Sequence, residues 1–164
     1  MKVFSETITV QSKIVPTFHD VTEAAENALK RSGVHNGILV VYSQHTTCSV
    51  LIQEESHDET YHGTKNIMQD LLNALEKIAP TCTHEGMYLH PGPKHIEDAV
   101  SRNELPGWSL NTDAHIRSVI LGRSESIPVN DGKMELGEFG RIYFADFDQV
   151  RARERIVRFQ IIGE

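Results

Sequence analysis

The segment 37–53, GILVVYSQHTTCSVLIQ, limits the fold of this chain more than any other stretch. It holds two apolar runs, 38–42 and 49–52, whose length and β-branched content are typical of buried strands. The connection 44–47 contains none of the Gly, Pro, Asn or Asp residues that form most turns. The segment therefore predicts two core strands joined at the rim of a sheet by a polar connection that presents His45.

Apolar periodicity predicts the other elements of the chain. Asp20 has the character of a helix N-cap, with Glu23 at the capping-box spacing, and Gly33 closes that helix. We further expect a strand over 6–15, a long helix over 55–79, helical turns over 96–103 and 113–121, a hairpin over 126–136 around Asn-Asp-Gly, and strands over 141–147 and 155–162. This order predicts a single α+β domain over 1–164, with a mixed or antiparallel sheet sandwich and two main helices.

Charge and cysteine content limit the classes of partner. The chain has 16 Lys and Arg against 23 Asp and Glu, a net charge of −7, which argues against nucleic acid as a partner. The first residues lack the apolar core of a signal peptide and no run is long enough to span a bilayer, so we expect a cytoplasmic protein with no membrane partner. In that compartment Cys48 and Cys82 are expected to be free thiols, and Cys48 has no evident third group to make it a nucleophile.

Three histidines stand out by their context. His45 follows a core strand, His90 lies in the proline-rich segment 88–93, and His115 lies in 111–116. Three neutral imidazoles from separate segments suit zinc or a similar divalent ion, with a fourth position for water or substrate. Linear spacing does not show that they meet, so three separate, hydrogen-bonded histidines are the alternative.

Short motifs in this chain resemble the YjbQ family, whose members are described as secondary thiamine-phosphate synthases. The resemblance covers nearly the whole chain in the family's order, and the motifs are specific only together. They read Gln44-His45-Thr46-Thr47, Gln53-Glu54, Tyr88-Leu89-His90, Asp113-Ala114-His115-Ile116-Arg117, Leu121-Gly122-Arg123-Ser124, Ile127-Pro128-Val129 and Gly137–Phe144.

Several positions depart from the family pattern and place the chain on a divergent branch. Segment 94–110 has the character of an insertion. The remaining departures are Gln53 for Asn, His57-Asp58 for Asp-Pro, Gly63 near an expected Asp, Arg117 for Lys, Phe139-Gly140 for Trp-Gln and Asp146 where Glu is common.

The resemblance implies a homotrimer and a metal-supported enzyme that acts on a phosphorylated small molecule. The implied reaction joins a pyrimidine pyrophosphate to a thiazole phosphate and releases pyrophosphate. His45, His90 and His115 would bind the divalent ion, with zinc as the first choice and magnesium or another ion as alternatives. The alternative functions are a metal-dependent hydrolase and a non-catalytic trimeric protein that binds a metal or ligand.

The remaining candidate residues each have a functional and a structural interpretation. Glu54 could be a general base or a helix N-terminal carboxylate. Asp113 could orient a ligating histidine or cap a helix. Thr46 and Thr47 could contact a phosphate or only satisfy the turn backbone. Arg151 and Arg153 could grip a phosphate or pyrophosphate, or pair with nearby carboxylates such as Asp146 and Asp148.

Overall fold

The fold is α+β, as predicted, and consists of two antiparallel sheets with helices against them. The computed structural model describes all of residues 1–164. The strands are β1 Lys2–Gln11, β2 Thr17–Asp20, β3 Gly37–Ser43, β4 Cys48–Glu54, β5 Ser124–Asn130, β6 Lys133–Met134, β7 Gly140–Asp146 and β8 Glu154–Gly163. The helices are α1 Thr22–Ser32, α2 Asn66–Ile78, α3 Pro93–Ser101 and α4 Thr112–Leu121, with a 3₁₀ turn at Pro106–Ser109.

Two sheets and the helices make two apolar cores. The five-stranded sheet has the order β1-β8-β3-β5-β6, and the three-stranded sheet has the order β2-β7-β4. The first core lies between the two sheets and α1, and includes Leu39, Phe144 and Phe159. The second lies between the other face of the three-stranded sheet and helices α2 and α4, and includes Met68 and Phe147. Strand β7 is therefore covered on both faces, which explains its nearly continuous apolar sequence.

The long helix predicted over 55–79 is wrong in its first half. Helix α2 begins only at Asn66, and the preceding residues form a loop in which Thr60 N–H donates to the Thr64 carbonyl (2.8 Å). Gly63 has φ of 79°, a left-handed conformation that a helix interior excludes. The polar segment 56–63 carries no apolar stripe, so no packing energy holds it in a helix.

Other element boundaries also need correction. The first strand ends at Gln11 rather than at 15, and the short strand β2 occupies the residues expected to open α1. Val21 is the N-cap residue of α1, while Asp20 Oδ1 accepts from Thr22 N–H at 2.9 Å. Besides the two main helices α1 and α2, the shorter helices α3 and α4 occupy the regions where helical turns were expected. The predicted helices at 96–103 and 113–121, the hairpin and the left-handed Gly33 that closes α1 are confirmed.

Candidate functional site

One end of the two sheets carries a polar cleft of about 400 Å³. The β3–β4 connection, 44–47, and the β7–β8 connection, 147–153, meet there because β3 pairs with β8 and β4 pairs with β7. The segment 94–111 and helix α4 complete the wall. The lining side chains are Gln44, His45, Thr46, Thr47, His95, Arg102, Glu104, Trp108, Ser109, Asn111, His115, Arg151, Arg153 and Arg155.

Arg155 forms the floor of this cleft and is almost fully buried. Its Nε donates to Asp146 Oδ2 at 2.7 Å, and its Nη2 donates to Thr47 Oγ1 at 3.1 Å and to Asp148 Oδ2 at 3.5 Å. Asp146 and Asp148 are both fully buried. Buried charges are tolerated when they are paired and hydrogen-bonded, so this network fixes the two connections relative to each other.

Arg151 and Arg153 lie above that floor. Arg153 pairs with Asp148 at 3.0 Å, and burial lowers the pKa of Arg153 while Asp148 opposes the shift. Arg151 pairs with Glu104 at 3.2 Å, and its guanidinium lies 4.3 Å from the centroid of the Trp108 ring. The Nε atoms of both arginines are buried and have no hydrogen-bond partner in the chain. The carboxylate pairing expected as an alternative is therefore present, yet it leaves the buried Nε of each arginine without an acceptor.

The β3–β4 connection supplies the two predicted threonines in different roles. Thr47 is buried, and its hydroxyl accepts from Arg155 and donates to Asp146 Oδ1 at 3.4 Å. Thr46 is exposed, and its carbonyl oxygen lies 3.2 Å from His115 Nδ1. Because a carbonyl oxygen can only accept, Nδ1 of His115 carries the proton, and Nε2 holds the lone pair in the neutral ring.

His45 does not fit the role of a metal ligand. Its Nε2 accepts a hydrogen bond from the backbone N–H of Ile156 at 3.0 Å. A neutral ring that accepts at Nε2 carries its proton on Nδ1, so neither nitrogen has a free lone pair for a metal ion. Burial lowers the pKa of His45, and the charge of Arg155 adds to this effect. His45 therefore ties the β3–β4 connection to the start of β8.

The other two predicted histidines do come together, with a third one that the sequence did not single out. The ring centroids of His90 and His115 are 6.0 Å apart, and those of His90 and His95 are 4.4 Å apart. Burial lowers the pKa of His90 and of His115. Both rings are therefore neutral at pH 7, and His115 can accept a proton at Nε2.

Asp113 and Glu54 lie away from the cleft lining. Asp113 is buried at the start of α4, faces Arg117 at 3.7 Å, and accepts a 3.5 Å bond from Gln149 Nε2. Burial raises the pKa of Asp113. Glu54 is exposed at the far end of β4, roughly 20 Å from Thr47 at the rise of a β-strand. The structure thus does not bring Glu54 to the histidines, and a catalytic role for either carboxylate stays a prediction.

Sequence reasoning missed several of the lining residues. Arg155 belongs to a cluster of arginines that the sequence shows at 151–158, but its buried role was missed, although its place in a strand otherwise rich in buried apolar side chains was the available signal. His95, Arg102, Glu104 and Trp108 all come from the segment 94–110, so the apparent insertion builds one wall of the cleft.

Comparisons with known proteins identify the family of this chain. A sequence model of the UPF0047 protein YjbQ-like family matches residues 6–164, and the chain belongs to that family. A UPF0047 protein of Methanothermobacter thermautotrophicus is 28% identical over 164 residues, which is 100% of this chain and 95% of that protein. A UPF0047 protein of Methanocaldococcus jannaschii is 32% identical over 145 residues, 88% of this chain and 84% of the relative.

A solved structure gives the same result at the level of the fold. It is an uncharacterized conserved protein of the YjbQ/UPF0047 family from Clostridium acetobutylicum, with a TM-score of 0.72 and 29% identity. The match covers 96% of this chain and 99% of that chain. The predicted family and fold class are both confirmed.

The predicted function needs correction. These relatives are described as UPF0047 proteins or as uncharacterized, and none of the descriptions names thiamine-phosphate synthase activity. No group of three or more His, Cys, Asp or Glu side chains in the structure is placed to hold a metal ion. The metal-supported synthase is therefore wrong for this chain, and so are the metal-dependent hydrolase and the metal-binding form of the non-catalytic protein. It stays a prediction that the protein carries a divalent ion, with zinc as the first choice. His45, His90 and His115 do not form a ligand set for that ion.

Cys48 and Cys82 are free thiols, and burial raises the pKa of Cys48, which makes it a poor nucleophile. None of the helices is long and apolar enough to cross a membrane.

Proposed function

We propose that the cleft at the β3–β4 and β7–β8 connections binds a phosphorylated small molecule through Arg151 and Arg153. The observation that carries this proposal is the pair of buried Nε donors that have no partner in the chain. A buried N–H group without an acceptor is costly, and phosphate oxygens are acceptors that match the planar fork of arginine.

The surroundings of these donors support an anionic group. Four arginines line the cleft against one lining carboxylate, Glu104. Asp146 and Asp148 balance much of this charge from beneath the floor, where both are fully buried. A ligand entering from solvent therefore meets guanidinium groups first. The volume of about 400 Å³ lies in the range of pockets that hold small molecules.

Binding of a phosphorylated ligand and its unphosphorylated counterpart tests the proposal. We expect glycerol 3-phosphate to shift the backbone amide resonances of 44–47 and 151–155 in an NMR titration, and glycerol to leave them unchanged. Equal responses to both compounds, or no response to the phosphate, would show that the cleft does not recognise the phosphate group.

We further propose that the chain assembles as a homotrimer through the open face of the five-stranded sheet. Register places Val3 opposite Ile162, Ile162 opposite Ile38 and Ile38 opposite Pro128, so one apolar row crosses four strands. All four side chains are exposed. An exposed, contiguous apolar row is typical of an interaction surface, and the family resemblance implies a second and third copy of this chain as the occupants.

A further inference from the structure

His115 is a residue of the cleft wall that has no role in the proposed phosphate contact. Its Nδ1 donates to the Thr46 carbonyl at 3.2 Å, so the lone pair of the neutral ring lies on Nε2. Nε2 makes no hydrogen bond within the chain, and it is not one of the buried polar atoms that lack a partner. Nε2 is therefore open to solvent, on a side chain that lines the arginine cleft.

Asp148 places Arg153 beside the start of helix α4, which carries His115. Arg153 Nη2 lies 3.0 Å from Asp148 Oδ2, and Asn111 Nδ2 donates to the same oxygen at 3.5 Å. Asn111 is the N-cap residue of α4, and its carbonyl accepts from His115 N–H at 3.2 Å. His115 thus lies one helical turn from the residue that shares the carboxylate with Arg153, and the two side chains line the same cleft.

The surroundings of His115 keep its imidazole neutral. Burial lowers the pKa of His115, and the positive charges of His95 and Arg153 add to this effect. The Thr46 carbonyl and Asp148 shift the pKa in the opposite direction without reversing it. The neutral ring carries its proton on Nδ1 and can only accept at Nε2, so a ligand group that pairs with this nitrogen must be a donor.

The charge of the cleft selects among the possible donors. Four arginines line the cleft against one carboxylate, Glu104, so a cationic donor such as an ammonium group is repelled on entry. A hydroxyl group donates a hydrogen bond without carrying a charge. The donor that suits His115 Nε2 is therefore a hydroxyl group.

We propose that the ligand of the cleft is a phosphate ester with a hydroxylated body, such as a polyol or sugar phosphate, whose hydroxyl donates to His115 Nε2. This assignment rests on the proposed binding of the phosphate by Arg151 and Arg153. It adds the contact that distinguishes one phosphorylated compound from another, since a site that hydrogen-bonds a ligand hydroxyl discriminates against the analogue that lacks it.

Glycerol 3-phosphate and propyl phosphate are the probes, because they share a phosphate and a three-carbon body and differ in the hydroxyl groups. In calorimetric titrations of the whole chain, glycerol 3-phosphate is expected to bind about three- to tenfold more tightly, the effect of one neutral hydrogen bond. His115→Phe keeps a flat ring without nitrogens, and it should remove this preference while propyl phosphate still binds. His57→Phe, at an exposed histidine outside the cleft, is the matched control and should keep the preference.

Equal affinities of the wild type for the two esters would overturn the hydroxyl contact and leave the phosphate contact standing. This comparison does not depend on how any variant folds. A preference that survives in His115→Phe would assign the hydroxyl to another residue, and loss of both esters in that variant would make His115 a support of the whole cleft instead of a contact for the hydroxyl. If the wild type bound neither ester, the phosphate contact itself would be wrong, and the hydroxyl contact with it.

Discussion

Arg155 is the residue that holds the cleft together, because it contacts both connections from below. Its guanidinium pairs with Asp146 and Asp148, which are fully buried. Removing one member of a buried charge network leaves uncompensated charge in a low-dielectric interior.

Arg155→Ala is therefore expected to lower the free energy of unfolding by about 3–5 kcal/mol. The control is Arg158→Ala on the same strand. The Arg158 side chain is exposed, so this substitution should change the free energy of unfolding by about 0.5 kcal/mol or less. Urea unfolding followed by circular dichroism measures both. Similar values for the two variants would mean that the network does not stabilise the fold.

Glu104 competes with any anionic ligand for Arg151, because the two side chains pair at 3.2 Å inside the cleft. Glu104→Gln is expected to raise the affinity for inorganic phosphate about two- to fivefold, the equivalent of the roughly 0.5–1 kcal/mol of a partly exposed ion pair. Calorimetry measures the change, with Glu97→Gln on the outer face of α3 as the control. An affinity lowered by Glu104→Gln would instead indicate that Glu104 positions Arg151 for the ligand.

At the scale of single residues, sequence reasoning identified residues of the cleft better than it identified the hydrogen bonds of their individual atoms. One cleft is lined by all four of the predicted residues Thr46, Thr47, Arg151 and Arg153. The sequence had placed them in the two connections that meet there. The role of His45 could not be predicted, because linear spacing does not show that a distant backbone N–H donates a hydrogen bond to one of its ring nitrogens. The bond from Ile156 depends on the pairing of β3 with β8, a contact between residues 111 positions apart.

At the scale of elements, hydrogen bonds explain why the β3–β4 connection contains none of the ordinary turn residues. Gln44–Thr47 needs no glycine or proline, because Ser43 Oγ accepts from His45 N–H at 3.2 Å and the His45 carbonyl accepts from Cys48 N–H at 3.2 Å. Side-chain and backbone bonds of this kind replace ordinary turn residues. The polar residues of the connection therefore have both a structural role and a place in the cleft.

Three histidines, one in the β3–β4 connection, one in the loop before α3 and one in α4, make the elements around the cleft sensitive to acid. Burial lowers the pKa values of His45, His90 and His115 below the ordinary value of 6.5. The unfolded chain then takes up protons at these sites before the folded chain does. Their contribution to stability is complete above about pH 6.5 and is lost as the pH falls below it toward the lower folded values.

We expect the free energy of unfolding to decrease as the pH falls below about 6.5, and His45→Gln to reduce that slope because glutamine can still accept from Ile156 N–H. Urea unfolding at a series of pH values measures the slope. His35→Gln, at an exposed histidine, controls for the loss of an imidazole. If His45→Gln left the slope unchanged, the pKa of His45 would be the same in the folded and the unfolded chain.

Element prediction succeeded where an apolar pattern and a turn signal agreed, and failed where only one was present. The Asn-Asp-Gly hairpin is confirmed because Asp131 and Gly132 both adopt positive φ, as this turn requires. The helix over 55–79 was wrong because the apolar face began only at Ile67, and the polar segment before it follows tertiary contacts instead. The strand β2 was missed because four residues are too few to show a period.

At the scale of the whole molecule, the uncovered face of the five-stranded sheet is the surface that self-association would bury. Light scattering after size-exclusion chromatography is expected to give three times the mass of one chain, since the resemblance implies a trimer. Ile38→Lys places a charge in the apolar row and should shift the mass toward one chain. Ile78→Lys, at an exposed apolar residue at the end of α2, is the control. A wild type with the mass of one chain would contradict the trimer.

The most direct test of the phosphate cleft is calorimetric titration of inorganic phosphate into the wild type and into Arg151→Gln, Arg153→Gln and Arg158→Gln. Both cleft variants should weaken binding about tenfold or more, because each removes a charge-assisted hydrogen-bond donor from the ligand. Arg158→Gln, which lies outside the cleft, should bind as the wild type does. A wild type that does not bind phosphate, or one whose affinity survives both cleft substitutions, would contradict the proposed function.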